Sequence, residues 1–325
     1  GAQCLATDGA LMYVGSEGGW IKAKLQLNVV DPATYRFWNV IDEDFGEREN
    51  LPGLTGLAVR RGKAYLALQK PGVVRVYDLP NDGDSKAIRQ AEFAVRGPRG
   101  LAVDADGILW AATDAGIIRI DPGNGALTPV ALENLENPQG LTFGPGGHLY
   151  VSTGAPSHQG HVYSKGGRSV RTIGKPGGRH VGPYDPEVMD HPKGLTVDAR
   201  GRLWVAEESR CPKRVSVWTL DGEFVQAFYG PTRYGGSGYL DATDVNRLVD
   251  DGMTFALDWA RRTWKLDRVH YRHGDQPGMS FLRTPGRSWS YRGRVFHANY
   301  DYWTSSYQVL YERLTDGRIV PLAAA

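Results

Sequence analysis

The chain has 325 residues, 41% of them hydrophobic, with 38 basic residues against 36 acidic ones and a formal net charge of +2. That balance excludes attraction to nucleic acid or an anionic membrane by global charge, and no apolar run reaches the roughly 18 residues of a transmembrane helix. Two cysteines, Cys4 and Cys211, exclude a thiolate metal centre or a disulfide framework; they read as two structural thiols, with one Cys4–Cys211 bridge as the alternative.

From the N-terminus onward the chain repeats one short phrase. "QCLATDGALMYVGSE" is a first, degenerate form with Cys4 in the slot that is later a glycine, and a second form carries Gly56. "PRGLAVDADGILWAATDA" begins at Pro98, with Gly100 in the slot. Leu101 and Val103 alternate with small neighbours, the period of a strand. Asp104-Ala105-Asp106-Gly107 is a turn, and Ile108 to Ala112 returns as a second strand. "GIIRIDPGNGALTPV" then adds a third strand, a turn on Asp121-Pro122 and a fourth strand. Four short antiparallel strands in about 40 residues make one propeller blade.

"PQGLTFGPGGHLYVSTGA" from Pro138 repeats the frame with Gly140, and an insertion follows from Lys165, rich in Gly, Pro and cations. The insertion reads as a solvated connection; an ordered loop binding an anion through Arg168, Arg171, Arg179 and His180 is the alternative. "PKGLTVDARGRLWVAEES" from Pro192 is the next copy, with Gly194. A second insertion from Tyr229 places Tyr229, Tyr234 and Tyr239 among glycines, where they could stack on sugar rings. Its "LDATDVNRLVDD" predicts a short helix capped by Asp241 or Thr243. Weaker copies of the frame fall on Gly252 and Gly286, and the last one is crowded with aromatic residues.

The expected fold is therefore all-β: one seven-bladed β-propeller over 1–325, built of four-stranded antiparallel blades, with six or eight blades as alternatives. Approximate blades are 1–50, 51–97, 98–137, 138–191, 192–238, 239–283 and 284–325. A single blade cannot cover its own apolar faces, so the array must stack.

The Pro-x-Gly-Leu-x-Val-Asp-x-x-Gly-x-Leu-Trp-Val pattern resembles the NHL-repeat propellers and the related gluconolactonase-like propellers, clearly over residues 51–229. Phe228 to Trp259 is similar to a segment of large exported bacterial propeller proteins, so a module of a larger chain or assembly is expected, outside the cytoplasm. The expected location is extracellular or periplasmic; the chain opens on Gly1, so a signal peptide is expected to have been removed or to be absent from this sequence. In propellers of this type, two sets of loops meet at the mouth of the central channel. The resemblance puts the second residue of each phrase there: Gln3, Thr55, Arg99, Gln139, Lys193, Asp251 and Pro285. The other loops offer Glu17, Gln69, Lys70, Asp114, His158, Glu207, Glu208, His270, Arg272, His273, His297, Asn299 and Asp301.

Two functions follow as expectations. The first is a recognition or scaffold propeller that binds a glycan or a partner protein, with Arg99, Gln139, Lys193, Asp251, Arg272, Tyr229, Tyr234 and Trp303 as ligand-binding candidates. The second is a carbohydrate-active enzyme at the channel mouth, a metal-assisted lactonase-like hydrolase or a polysaccharide lyase. Its catalytic candidates are His270, His297, Tyr300 and Glu207, and its divalent-metal candidates are Glu207, His270, His297 and Asp301; Ca²⁺ held by carbonyls is a further possibility. Gln139 stands where the gluconolactonase-like propellers carry Asn. The His-bearing phrases that supply zinc ligands in the amidating lyases are replaced by Arg99, Gln139 and Lys193, and a cation at a ligand position repels a metal. RNA binding through Arg99, Lys193 and Arg272 is disfavoured by the near-neutral charge.

Overall fold

In a computed structural model the described residues are 2–18, 22–83, 85–208, 212–230, 238–250, 252–270, 287–301 and 306–324. Among the described residues the strands group into seven sheets, each built on four strands consecutive in the chain, with a fifth strand added to one of them. The first holds β1 (Ala2–Thr7), β2 (Met12–Glu17), β3 (Lys22–Val30) and β4 (Phe37–Glu47), and the second β5 (Leu54–Arg60), β6 (Lys63–Leu68), β7 (Val73–Asp78) and β8 (Ile88–Ala94). The third is β9 (Pro98–Val103), β10 (Leu109–Thr113), β11 (Gly116–Ile120) and β12 (Leu127–Val130). The fourth is β13 (Pro138–Phe143), β14 (Leu149–Thr153), β15 (Gly160–Tyr163) and β16 (Ser169–Ile173).

A two-residue strand, β17 (Gly182–Pro183), precedes the fifth sheet, which is β18 (Pro192–Val197), β19 (Arg202–Glu207), β20 (Arg214–Thr219) and β21 (Phe224–Tyr229). The sixth is β22 (Tyr239–Asp241), β23 (Asp244–Asp250), β24 (Met253–Asp258) and β25 (Thr263–Val269), with β17 added beside β25. The seventh is β26 (Ser288–Tyr291), β27 (Arg294–Asp301), β28 (Ser306–Arg313) and β29 (Ile319–Ala324).

The chain divides into two compact units. One comprises Gly1–Pro176, His191–Ala206 and Val217–Val225; the other comprises Gly177–Asp190, Glu207–Ser216 and Gln226–Ala325. In the first unit the leading strands of successive sheets lie side by side, β1 by β5, β5 by β9, β9 by β13 and β13 by β18. Apolar faces close between sheets: Leu25, Leu27 and Val29 pack with Leu54, Leu57 and Leu66, and Ala67 and Val76 with Leu101, Leu109 and Ile120. In the second unit β22 lies by β26, and Met253, Leu266 and Val269 form a small core.

The glycine of the recurring phrase has a physical cause in three of its copies, although a Cβ on Gly194 would meet nothing within 4 Å. A Cβ on Gly56 would stand 2.2 Å from the Arg99 carbonyl oxygen, one on Gly100 2.6 Å from the Gly140 Cα, and one on Gly140 2.1 Å from the Lys193 carbonyl oxygen. Glycine is there because the backbone of the next sheet touches it. The position three residues ahead of this glycine is left-handed in four copies: Gly53 (φ 75), Gly97 (φ 58), Asn137 (φ 45) and His191 (φ 51). The Asp of the turn binds the aromatic residue of the second strand: Trp110 Nε1 donates to Asp104 (2.8 Å), Trp204 Nε1 to Asp198 (2.9 Å) and the Tyr13 hydroxyl to Asp8 (2.8 Å). At Asp198 the Trp204 bond outweighs the cost of desolvation and, with Arg202, holds the carboxyl down at about 2.

Two expectations are corrected. "LDATDVNRLVDD" is not a helix: it forms the β22–β23 hairpin, with Leu240 opposite Leu248 and Tyr239 opposite Val249. Asp241 closes its turn by accepting from the Thr243 amide (2.8 Å) and hydroxyl (2.7 Å) instead of capping a helix. Consequently Gly252 does not precede the first strand of its sheet; it sits between β23 and β24 with φ 77. Cys4 is a free thiol, which burial and the nearby Glu17 push up to about 12. Cys211 and Gly286 lie outside the described residues.

Candidate functional site

The second residues of the phrases come together in the first unit. Thr55 Oγ1 donates to the Pro98 carbonyl (2.8 Å). Arg99 donates through Nη1 to Asn137 Oδ1 (2.8 Å) and the Pro138 carbonyl (2.7 Å), and through Nη2 to Asp114 Oδ1 (2.7 Å). Gln139 Nε2 donates to the same Asn137 Oδ1 (2.8 Å), and Lys193 Nζ donates to Gln139 Oε1 (2.9 Å). The result is a hydrogen-bonded belt that crosses from the second sheet to the fifth, one phrase per sheet. The backbone beneath it is fixed, since Ser152 Oγ donates to the Lys193 carbonyl and accepts from the Gly140 amide. Arg99 and Gln139 are half-buried and Lys193 is exposed.

Beside the belt, His158 is buried, and its Nδ1 accepts from the His191 amide (3.0 Å) with the two rings edge to face at 4.7 Å. A ring whose Nδ1 accepts from that amide carries its proton on Nε2 when neutral.

In the second unit, Glu207 has a different fate from that expected of a catalytic or metal-binding carboxylate. Its side chain is fully buried between two guanidinium groups, Arg179 Nη2 (2.8 Å) and Arg214 Nε. It also accepts from the Asp190 amide (2.8 Å) and the Ser216 hydroxyl (3.4 Å). Arg214 goes on to the Tyr184 hydroxyl and the Pro186 and Val188 carbonyls, so this carboxylate serves as the anchor of segment Gly177–Asp190. The first insertion is accordingly an ordered strap: β17 pairs with β25, and the Tyr184 amide donates to the Asp267 carbonyl (2.9 Å). Of the cations expected to bind an anion there, Arg179 is in that buried pair and Arg171 bonds Asp221. Tyr229 packs against Tyr184 (6.3 Å) and the exposed Trp264 (5.6 Å).

His270 and His297 lie close enough to interact electrostatically. His270 Nε2 bonds Thr254 Oγ1, and burial, then Arg268, His297 and Arg247, push its pKa down to about 3. His297 is fully buried. Burial opposes the charge of nearby Asp241, yet Thr243, Arg313 and His297 hold its carboxyl below the ordinary range. Among the described residues Glu207, His270 and His297 do not gather within metal-ligand distance of one another. Asp251, Arg272, Tyr234 and Trp303 lie outside the described residues, as do the side chains of Tyr300 and Asp301. Sequence reasoning missed Asn137, the acceptor on which Arg99 and Gln139 converge; its place two residues ahead of Gln139 was the available signal.

Seven sheets of four antiparallel strands define a seven-bladed β-propeller of the kind the repeated phrases resemble. Neither a family model nor a curated protein matches the chain. A chain of the nidogen/laminin complex is similar over 70% of this chain and 80% of its own, at 16% identity and a TM-score of 0.52. Virginiamycin B lyase from Staphylococcus aureus is similar over 83% and 84%, at 17% identity and a TM-score of 0.40. A 6-phosphogluconolactonase-like protein of Bacteroides uniformis is similar over 82% and 84%, at 15% identity and a TM-score of 0.46. At 16% identity the likeness to the nidogen/laminin chain is one of fold alone.

Proposed function

We propose that this protein is an extracytoplasmic recognition propeller that binds a glycan or a partner protein through the loop face bearing the belt. The observation that carries this reading is the convergence of Arg99, Gln139 and Lys193, from three successive sheets, into one preorganised and partly open row of polar groups. Rows of positioned donors on a rigid scaffold suit selective binding, because little ordering is left to do when the ligand arrives. The carboxylate best suited by type to acid–base work, Glu207, is meanwhile sealed in a buried ion-pair cluster. The complex of nidogen with laminin offers a propeller neighbour that engages a protein partner.

The test is a glycan array probed with the intact protein and with Gln139→Ala. Binding that Gln139→Ala weakens supports the reading. Conversion of any bound glycan, seen as new reducing ends or an unsaturated uronate product, would replace it with the enzymatic one.

A further inference from the structure

The hairpin that joins β24 to β25 carries a surface the belt does not use. Asp258 pairs with Thr263, so Trp259, Ala260, Arg261 and Arg262 form the loop, with Trp259 and Arg262 at its two feet. Trp264 is two residues past Arg262, opposite Leu257. Cross-strand neighbours stand about 5 Å apart, so both tryptophans and Arg262 share one end of the hairpin. Both indoles are open to solvent, Trp259 at 59% and Trp264 at 52%. Neither is loose. Trp259 Nε1 donates to the Val245 carbonyl (3.0 Å), while Trp264 lies against Tyr229 (5.6 Å) and meets Phe255 edge to face (5.5 Å). The charge beside them is one-sided: from Asp258 to Lys265 three cations, Arg261, Arg262 and Lys265, stand against one carboxylate. Asp258 is already engaged by the Arg261 amide (3.0 Å) and guanidinium (3.4 Å). Arg262 and Lys265 are exposed and enter no ion pair among the described residues. The β22–β23 turn lies at the same end of this antiparallel sheet, and its carboxylates are taken, Asp241 by Arg313 and Asp244 by Arg247 (3.7 Å). The next carboxylate along β25, Asp267, is four residues past Thr263, about 13 Å from the loop.

We infer that this hairpin end is a second binding site, independent of the belt, and that it takes an acidic glycan. The two indole planes stack on the apolar faces of sugar rings, and Arg261 and Arg262 receive the sulfate or carboxylate groups. Rings already held in place suit stacking, because nothing has to be ordered when the sugar arrives. Charge-assisted hydrogen bonds from guanidinium groups are the strong contacts to the anionic substituents. Exposed aromatic area of this kind on a folded scaffold marks an interaction surface. A lipid surface suits the geometry less well: the crown of the loop is Ala260 and Arg261, and Trp259 is tied back to β23, so a cation and not an indole would enter first.

The test is titration calorimetry of the intact protein with a heparin decasaccharide, with neutral dextran, which has rings and no charge, with inorganic polyphosphate, which has charge and no rings, and with phosphatidylserine vesicles. Heparin is expected to bind, and dextran and polyphosphate roughly tenfold more weakly. Arg262→Gln should reduce heparin affinity about fivefold and Trp259→Leu about tenfold, whereas Arg262→Lys and Trp259→Phe, which keep the charge and the ring, should retain most of it. Circular dichroism and thermal midpoints show whether the variants fold as the parent does. No binding of heparin, equal binding of polyphosphate or dextran, preference for the vesicles, or full affinity in Arg262→Gln or Trp259→Leu would each overturn the inference. Heparin binding lost in Gln139→Ala but kept in both hairpin variants would overturn it while leaving the recognition reading intact.

Discussion

At Glu207 and His270, two side chains of types common in active sites, burial has turned chemistry into structure. The Glu207 carboxylate faces two guanidinium groups with all three side chains out of water. Removing one member of such a cluster leaves the others charged and unpaired, so Glu207→Gln is expected to cost about 3–5 kcal/mol in denaturant unfolding of the second unit. His270 is held neutral by burial among Arg268, Arg247 and His297, with its pKa lowered to about 3. In the unfolded chain a histidine takes up its proton near about pH 6.5. The native state binds fewer protons between those values, so this contribution to stability is complete above about pH 6.5 and falls as the pH drops toward 3. The expected loss is about 2 kcal/mol at pH 5 relative to pH 7. Urea midpoints across that range should show it, and His270→Asn should flatten the profile; an equally steep profile in the variant would rule this origin out.

At the scale of the elements, the phrase glycines Gly56, Gly100 and Gly140 are contact points between neighbouring sheets. Gly140→Ala would drive a methyl group against the Lys193 carbonyl, which also receives Ser152. Overpacking of this sort costs about 1–3 kcal/mol, and because the Cβ would meet backbone the upper end is expected, readable as a lower thermal midpoint. Much at this scale was legible in the sequence. Strand alternation and glycine-bearing turns, of the Asp-x-x-Gly form at Asp104–Gly107 and Asp198–Gly201, marked the first five sheets, where each hairpin is local. The frame slipped at Gly252 because two turns of similar composition, Asp241–Asp244 and the one holding Gly252, flank β23, and only pairing across the hairpin tells which is which. The belt was half legible: Arg99, Gln139 and Lys193 were found by their place in the phrase, whereas Asn137 required the hydrogen bonds. The strap was illegible, since the residues that order it, Glu207, Arg214 and Asp267, are remote in sequence from a Gly- and Pro-rich segment.

For the molecule as a whole, that strap joins parts of the second unit that are far apart along the chain. It leaves the end of the fourth sheet, adds β17 to the edge of β25 and is pinned by the cluster around Glu207. An open strand edge invites pairing with other chains, and the strap occupies part of this one. Limited proteolysis should spare residues 177–190 until that unit opens, despite their loop-like composition, whereas Glu207→Gln should make them an early cleavage site. Early cleavage in the parent protein would show that the strap is not docked.

The close approach at Gly56, Gly100 and Gly140 also separates two kinds of freedom in the repeated phrase. The glycine cannot change without pushing neighbouring sheets apart, whereas the residue just before it ties the sheets by its side chain: Thr55 bonds the Pro98 carbonyl and Arg99 the Pro138 carbonyl. A substitution at the glycine therefore displaces backbone, whereas one at the residue before it severs side-chain ties and leaves the close approach of the sheets in place.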